Sequence, residues 1–124
     1  MASDITVLLN GFRRPQNIDL QLQALRNSTV QPDHIMTWYN NPGSDFKINQ
    51  DAMNNTDCAI NTQNWGVWAR FFYAFNAPTK YVCVFDDDTV PGIRWLENCL
   101  NTMKTHRGLW MERLGIWRAD LNRN

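Results

Sequence analysis

The sequence predicts an α/β fold built on a mainly parallel sheet flanked by helices. Two observations carry that prediction. Short apolar, β-branched runs alternate along the chain with stretches whose apolar residues recur at steps of three and four. Strands that alternate with helices in this way are joined by right-handed crossovers, which make the strands parallel.

The segment Asp4 to Leu9 (DITVLL) is a buried strand closed by Asn10-Gly11. Ile18, Leu22 and Leu25 then mark one face of a helix that ends near Asn27-Ser28. His34 to Tyr39 (HIMTWY) is a second strand, closed by the turn signal Asn40-Asn41-Pro42-Gly43. Residues 44 to 56 are polar and read as irregular, and Asp57 to Ile60 (DCAI) as a short third strand. Trp65, Trp68, Phe72 and Phe75 recur at steps of three, four and three, so a helix is predicted over them, its aromatic stripe packed in the core. Pro78 ends it. Lys80 to Phe85 (KYVCVF) is the strongest buried strand. Thr89 is expected to cap the next helix, with Pro91 near its first turn and Leu96, Cys99, Leu100 and Met103 on its inner face. From residue 108 to 124, Trp110, Leu114, Trp117 and Leu121 outline a further helical stripe, interrupted by Gly115.

The 124 residues set a prior of one domain, and 44% hydrophobic against 19% charged residues is a globular balance. Lys plus Arg equals Asp plus Glu. A duplex-binding protein carries a basic excess to neutralise phosphates, so nucleic acid is not expected as a partner, although one bound nucleotide is compatible. Cys58, Cys83 and Cys99 form no CxxC pair and no even framework, which suits a reducing compartment and a cytoplasmic protein. No basic leader and no transmembrane run is apparent.

In such sheets ligands gather beyond the carboxyl ends of the strands. The first, second and fourth strands end in Asn10-Gly11, Asn40-Asn41 and Asp86-Asp87-Asp88, so these three ends should share one rim. Three adjacent carboxylates there repel one another and lose hydration, which points to a cation as the missing partner. Alternation aims Asp86 and Asp88 one way and Asp87 the other. Mn²⁺ or Mg²⁺ suits all-oxygen ligands completed by substrate phosphates, and would act as a Lewis acid on a diphosphate leaving group. A bland alternative is an acidic cap on the following helix. Haloacid-dehalogenase-like phosphoryl transfer is a rival chemistry, but its pattern wants Thr four residues after the first Asp, where Val90 stands.

In the order of its parts the chain resembles the GT-A fold glycosyltransferases. ITVLLNGFRRP, WYNNPG, NWGVWAR and VFDDDTVPG follow one another as that family's strand, base, helix and DxD-type metal segments do. It looks closest to the small glycosyltransferases encoded by chloroviruses, and more distantly resembles the exostosin-like enzymes. The resemblance implies a Rossmann-like nucleotide-sugar-binding half of a GT-A fold over residues 1 to 107, followed by the Trp-rich tail. It implies Asp86 and Asp88 as metal ligands, with Asp86 and Asp87 also toward the donor. Asn10, Arg13 and Arg14 would frame base and phosphates, Asn40 the base, and Asn64 and Arg70 the donor further. Arg suits phosphate by its planar fork, and Asn suits a uracil edge by offering donor and acceptor together. Trp38 and Trp65 are aromatic enough to stack on a base or sugar, but are expected in the core.

The implied activity is transfer of a sugar from a nucleotide-diphosphate sugar, with UDP as nucleotide, to a glycan or glycoprotein acceptor. The stretch after Asp88 is shorter than the family's second half and matches no base motif. The catalytic residue is therefore left open, with Glu97, Glu112 and Asp120 as the acids there. Two outcomes stay open: an active small transferase, completed by a partner or by self-association through the Trp-rich tail, or a donor-binding module without turnover.

Overall fold

Ile5–Gly11 forms strand β1 at the centre of the sheet, and every one of its residues is buried. The computed structural model describes residues 2–12, 14–41, 43 and 47–105. Strand β2 (His34–Asn40) pairs with one edge of β1 and strand β4 (Tyr81–Phe85) with the other; strand β3 (Asp57–Asn61) pairs with β2. All three pairings are parallel and the order is β3-β2-β1-β4. The α/β, parallel-sheet prediction therefore holds. β1 reads as an unbroken apolar run because both its faces are covered.

Helix α1 (Asn17–Arg26) buries Ile18, Leu22 and Leu25 as predicted, against Ile5, Val7 and Leu9 of β1. Helix α4 (Trp95–Thr105) adds Leu96 to the same core, with Leu100 packed beside it. Helix α3 (Ala69–Ala74) packs on β1 and β2 from the other face, where Tyr73 meets Trp38 with ring centroids 5.3 Å apart. Right-handed crossovers explain this division, since the chain turns back across the sheet after β3.

Four local expectations are corrected. Helix α2 (Gln50–Asn55) stands where an irregular stretch was expected. It buries one residue, Ala52, so it leaves no apolar stripe to detect; an Arg26–Asp51 ion pair and a Thr56 Oγ1 bond to Ala52 O (2.7 Å) hold it instead. Helix α3 starts at Ala69, not Trp65, because Gly66 sits at φ 79°, outside the helical region. Its aromatic stripe is not core: Trp65, Trp68, Phe72 and Phe75 are all exposed, and Trp38 is half-buried. Thr89 does not cap α4. Its N–H closes a turn onto Asp86 O (3.2 Å), and Pro91-Gly92 separates it from the helix. The stripe from Trp110 to Leu121 and Arg13 lie outside the described residues. Among the described residues no helix is long and apolar enough to cross a membrane.

Candidate functional site

The strand order reverses at β1, whose neighbours β2 and β4 are reached by connections running in opposite directions. That reversal opens a crevice beyond the carboxyl ends of β1 and β4, the usual ligand position in such sheets. A depression of about 350 Å³ lies there. It is lined by Asn10 and Phe12 after β1, Asn40 at the end of β2, Asn64, Gly66, Val67 and Arg70 from the β3–α3 segment, and Asp86, Asp87 and Asp88 after β4. Seven of the residues nominated from the sequence thus meet at one place. Arg14 joins them through Asp87, while Arg13 lies outside the described residues.

Each carboxylate has its own environment. Phe85 belongs to the core face of β4, so Asp86 turns to the α3 face, where Arg70 Nη1 lies 2.6 Å from its Oδ1. Asp87 turns toward α1 and meets Arg14 Nη1 at 3.2 Å. The expectation that these two diverge is met. Asp88 accepts a bond from Thr89 Oγ1 (3.3 Å) and has no ion-pair partner among the described residues. Among the described residues, three carboxylates therefore face two guanidinium groups there, and one negative charge is unmatched.

The backbone of the acidic turn is held separately, by helix α1. Asn17 Nδ2 donates to Asp87 O (2.8 Å), and Gln21 Nε2 donates to both Asp86 O (2.8 Å) and Thr89 O (2.7 Å). Asn17 and Gln21 are four apart, so they stand on one helix face. Sequence reasoning missed both. The one available hint was an amide residue, Gln21, in the helical register of Ile18, Leu22 and Leu25, a position that the structure buries fully.

Asn40 does related work on the opposite wall. Its Nδ2 donates to Asn64 Oδ1 (2.9 Å), and its Oδ1 accepts from the Trp65 N–H (2.9 Å). Asn64 Oδ1 also accepts from the Gly66 N–H (2.9 Å). Both ends of the Asn40 amide are thus engaged in shaping the 64–66 segment. Asn41, the neighbour nominated with it, adopts φ 47° and donates its N–H to Asn61 O (2.7 Å). Turn chemistry accounts for it.

Three buried side-chain atoms find no partner among the described residues: Gln21 Oε1, Trp38 Nε1 and Arg70 Nε. Gln21 touches the acidic turn, Arg70 lines the depression, and Trp38 pairs in register with Asn10. Buried unpaired polar atoms are rare in folded proteins, and all three lie toward the end of the sheet that carries the depression. Among the described residues no three His, Cys, Asp or Glu side chains form a metal-holding group. An ion at this turn would rest on one or two carboxylates, the usual protein share for Mg²⁺.

Glu97 is not brought to the depression. It stands on α4, where Arg94 Nη2 (2.7 Å) and Thr29 Oγ1 (2.6 Å) bind it; those hydrogen bonds hold its carboxyl below the ordinary range. Glu112 and Asp120 lie outside the described residues. A second depression, at the opposite end of the sheet, is lined by Asp33, His34, Asn54 and Asp57 and holds a His34–Asp57 contact of 2.7 Å. It contains none of the nominated residues. The chain matches no protein-family model and no curated protein.

Proposed function

We propose that this chain binds a nucleotide-diphosphate sugar, a UDP-sugar foremost, and serves a glycosyltransferase reaction that passes the sugar to a glycan acceptor. One observation carries the reading: Asp86, Asp87 and Asp88 sit at the switch point of a parallel sheet, in one depression with Asn10, Asn64 and Arg70. Mn²⁺ or Mg²⁺ would be held by Asp88 and Asp86, since hard cations prefer carboxylate oxygen and Asp88 has no ion-pair partner among the described residues. When bound, such an ion supplies Lewis-acid stabilisation to a leaving diphosphate.

The chain's own groups have separable tasks. Arg70 presents a guanidinium to the depression and suits a phosphate oxygen by its planar fork. Asn10 offers an amide donor and acceptor to a base edge. Asn17 and Gln21 fix the carbonyls of the acidic turn, so its carboxylates need little reorganisation on binding. Asn40 holds the far wall.

Calorimetric titration of UDP with and without Mn²⁺ tests the binding step. Metal-dependent binding that disappears in Asp88→Ala is the expected result, and binding indifferent to both metal and variant defeats the reading. Release of sugar or UDP from a UDP-sugar by the purified chain, abolished by chelation, then separates a working transferase from a module that only binds donor.

A further inference from the structure

Alongside the acidic depression runs a surface that the donor reading does not use. Trp65 is 58% exposed, Trp68 70%, Phe72 68% and Phe75 84%. Trp68, Phe72 and Phe75 share one face of the short α3 helix and its flanks, and the Phe72 and Phe75 rings lie 6.3 Å apart. At about 150–250 Å² for a whole aromatic side chain, these four leave on the order of 500 Å² of ring surface in water. Contiguous apolar patches of about 300–600 Å² are often functional, and Trp68, Phe72 and Phe75 on one face supply most of this surface.

The chemistry around the rings narrows the occupant. Between Asp57 and Lys80 the sole charged residue is Arg70, and it is turned to Asp86 with 13% of its side chain exposed. The side chains that flank the rings in the chain include neutral amides, and Gln63, Asn64 and Asn76 are exposed. A membrane-surface face carries Lys and Arg around its aromatic residues, and a nucleic-acid platform needs cations for phosphate. The one cation on this stretch, Arg70, is paired with Asp86 and mostly buried. Rings flanked by uncharged amides suit a ligand with flat C–H faces and hydroxyl edges. The surface is also continuous with the depression, because Gly66 and Val67 line the depression and lie between Trp65 and Trp68 in the chain. From Trp68 to Phe75 the helical rise covers about 10 Å, enough for a short saccharide.

We infer that the exposed aromatic face of α3 is a binding surface for a neutral oligosaccharide, and that it presents the acceptor to the adjoining depression. The acceptor role rests on the donor reading above; the saccharide binding does not. The test is retention of the full chain on an immobilised panel of neutral hexose and N-acetylhexosamine oligosaccharides, with uronic-acid and sulfated counterparts. Saturable retention on neutral members is expected, weakened at least tenfold in Trp68→Ala/Phe72→Ala and largely restored in Trp68→Tyr. Both positions are mostly exposed, so the double variant should unfold at the wild-type temperature and bind Mn²⁺–UDP as the wild type does. Saccharide retention without any UDP binding keeps this surface and removes the donor reading. No retention on neutral members, retention unchanged in the double variant, or preference for the acidic members overturns the inference. So does self-association or binding to phosphatidylcholine vesicles that the double variant abolishes while no saccharide binds.

Discussion

Replacing Gln21 by Met tests whether helix α1 organises the acidic turn or merely packs beneath it. The wild-type amide makes two hydrogen bonds, to Asp86 O and Thr89 O, and leaves its own Oε1 buried without a partner. Losing two bonds at about 0.5–1.5 kcal/mol each costs about 1–3 kcal/mol. Removing a buried orphan acceptor returns about 1–3 kcal/mol. Met has a similar volume and fills the site, so no cavity contribution enters. Asp86 O keeps the Thr89 N–H, but Thr89 O loses its Gln21 donor, so the balance is a net loss, and urea unfolding should place Gln21→Met about 1–2 kcal/mol below wild type. Gln21→Ala, which also opens a cavity at a fully buried position, should lose roughly 2–5 kcal/mol. Ligand binding should respond differently. With its carbonyls released the turn must be ordered on binding, and one lost kcal/mol or slightly more is about a tenfold weaker Mn²⁺–UDP complex. The reasoning fails if Gln21→Met destabilises as much as Gln21→Ala. It also fails if the Met variant binds Mn²⁺–UDP with wild-type affinity.

Three further outcomes follow from the geometry. Gly11→Ala would place a Cβ 2.8 Å from Tyr39 Cδ1, and that ring is fully buried, so chemical denaturation should show a loss of about 1–3 kcal/mol. Asn40→Ala releases the 64–66 segment; it should weaken donor binding while leaving the metal requirement intact, as read by titration at several Mn²⁺ concentrations. The Asp33 carboxyl is held below its ordinary range, first by the Asp4 and then by the Ser3 backbone N–H. A depressed folded pKa gives stability that is complete above the unfolded value near ~4 and is lost as pH falls through the folded value. Asp33→Asn should therefore flatten the acid limb of a stability–pH curve, and an unchanged limb would contradict the assignment.

The centre of the sheet was legible because β1 is covered on both faces and reads as a continuous apolar run; β4, expected to be the most buried strand, is half-buried except at Phe85. ITVLL and YVCVF could hardly be anything else, and their parallel pairing follows from the helices between them. The rim was legible for the same reason: once the strands are parallel, Asn10, Asn40 and Asp86 must end on one side. Helix α3 was misread because periodicity reports a stripe and not what covers it. Trp68, Phe72 and Phe75 keep helical spacing while facing solvent. Helix α2 was invisible because it is held by charge and backbone bonds, which leave no apolar period. The roles of Asn17 and Gln21 were beyond reach in another way. Their partners are backbone carbonyls about seventy residues away, and a carbonyl leaves no trace in the identity of its residue.

The arginine pairs give the acidic turn a second meaning under the donor reading. Arg70 is mostly buried and its Nε has no partner among the described residues, so its charge is balanced chiefly by Asp86. A cation drawn to Asp86 competes with that pair. Exposed ion pairs contribute little, and Asp86 is more than half exposed, so breaking its contact costs little on the carboxylate side. The cost falls on Arg70, which would keep a desolvated charge with nothing opposite it. A diphosphate arriving with the cation removes that cost, because it brings negative oxygen to the vacated guanidinium. Cation and diphosphate should therefore bind together more tightly than either does alone. Arg70→Gln ought to reverse the order of dependence. It frees Asp86 for the cation and takes away the phosphate contact, so Mn²⁺ alone should bind more tightly while UDP gains less from it. Equal losses for Mn²⁺ alone and for Mn²⁺ with UDP would show that Arg70 only supports the fold.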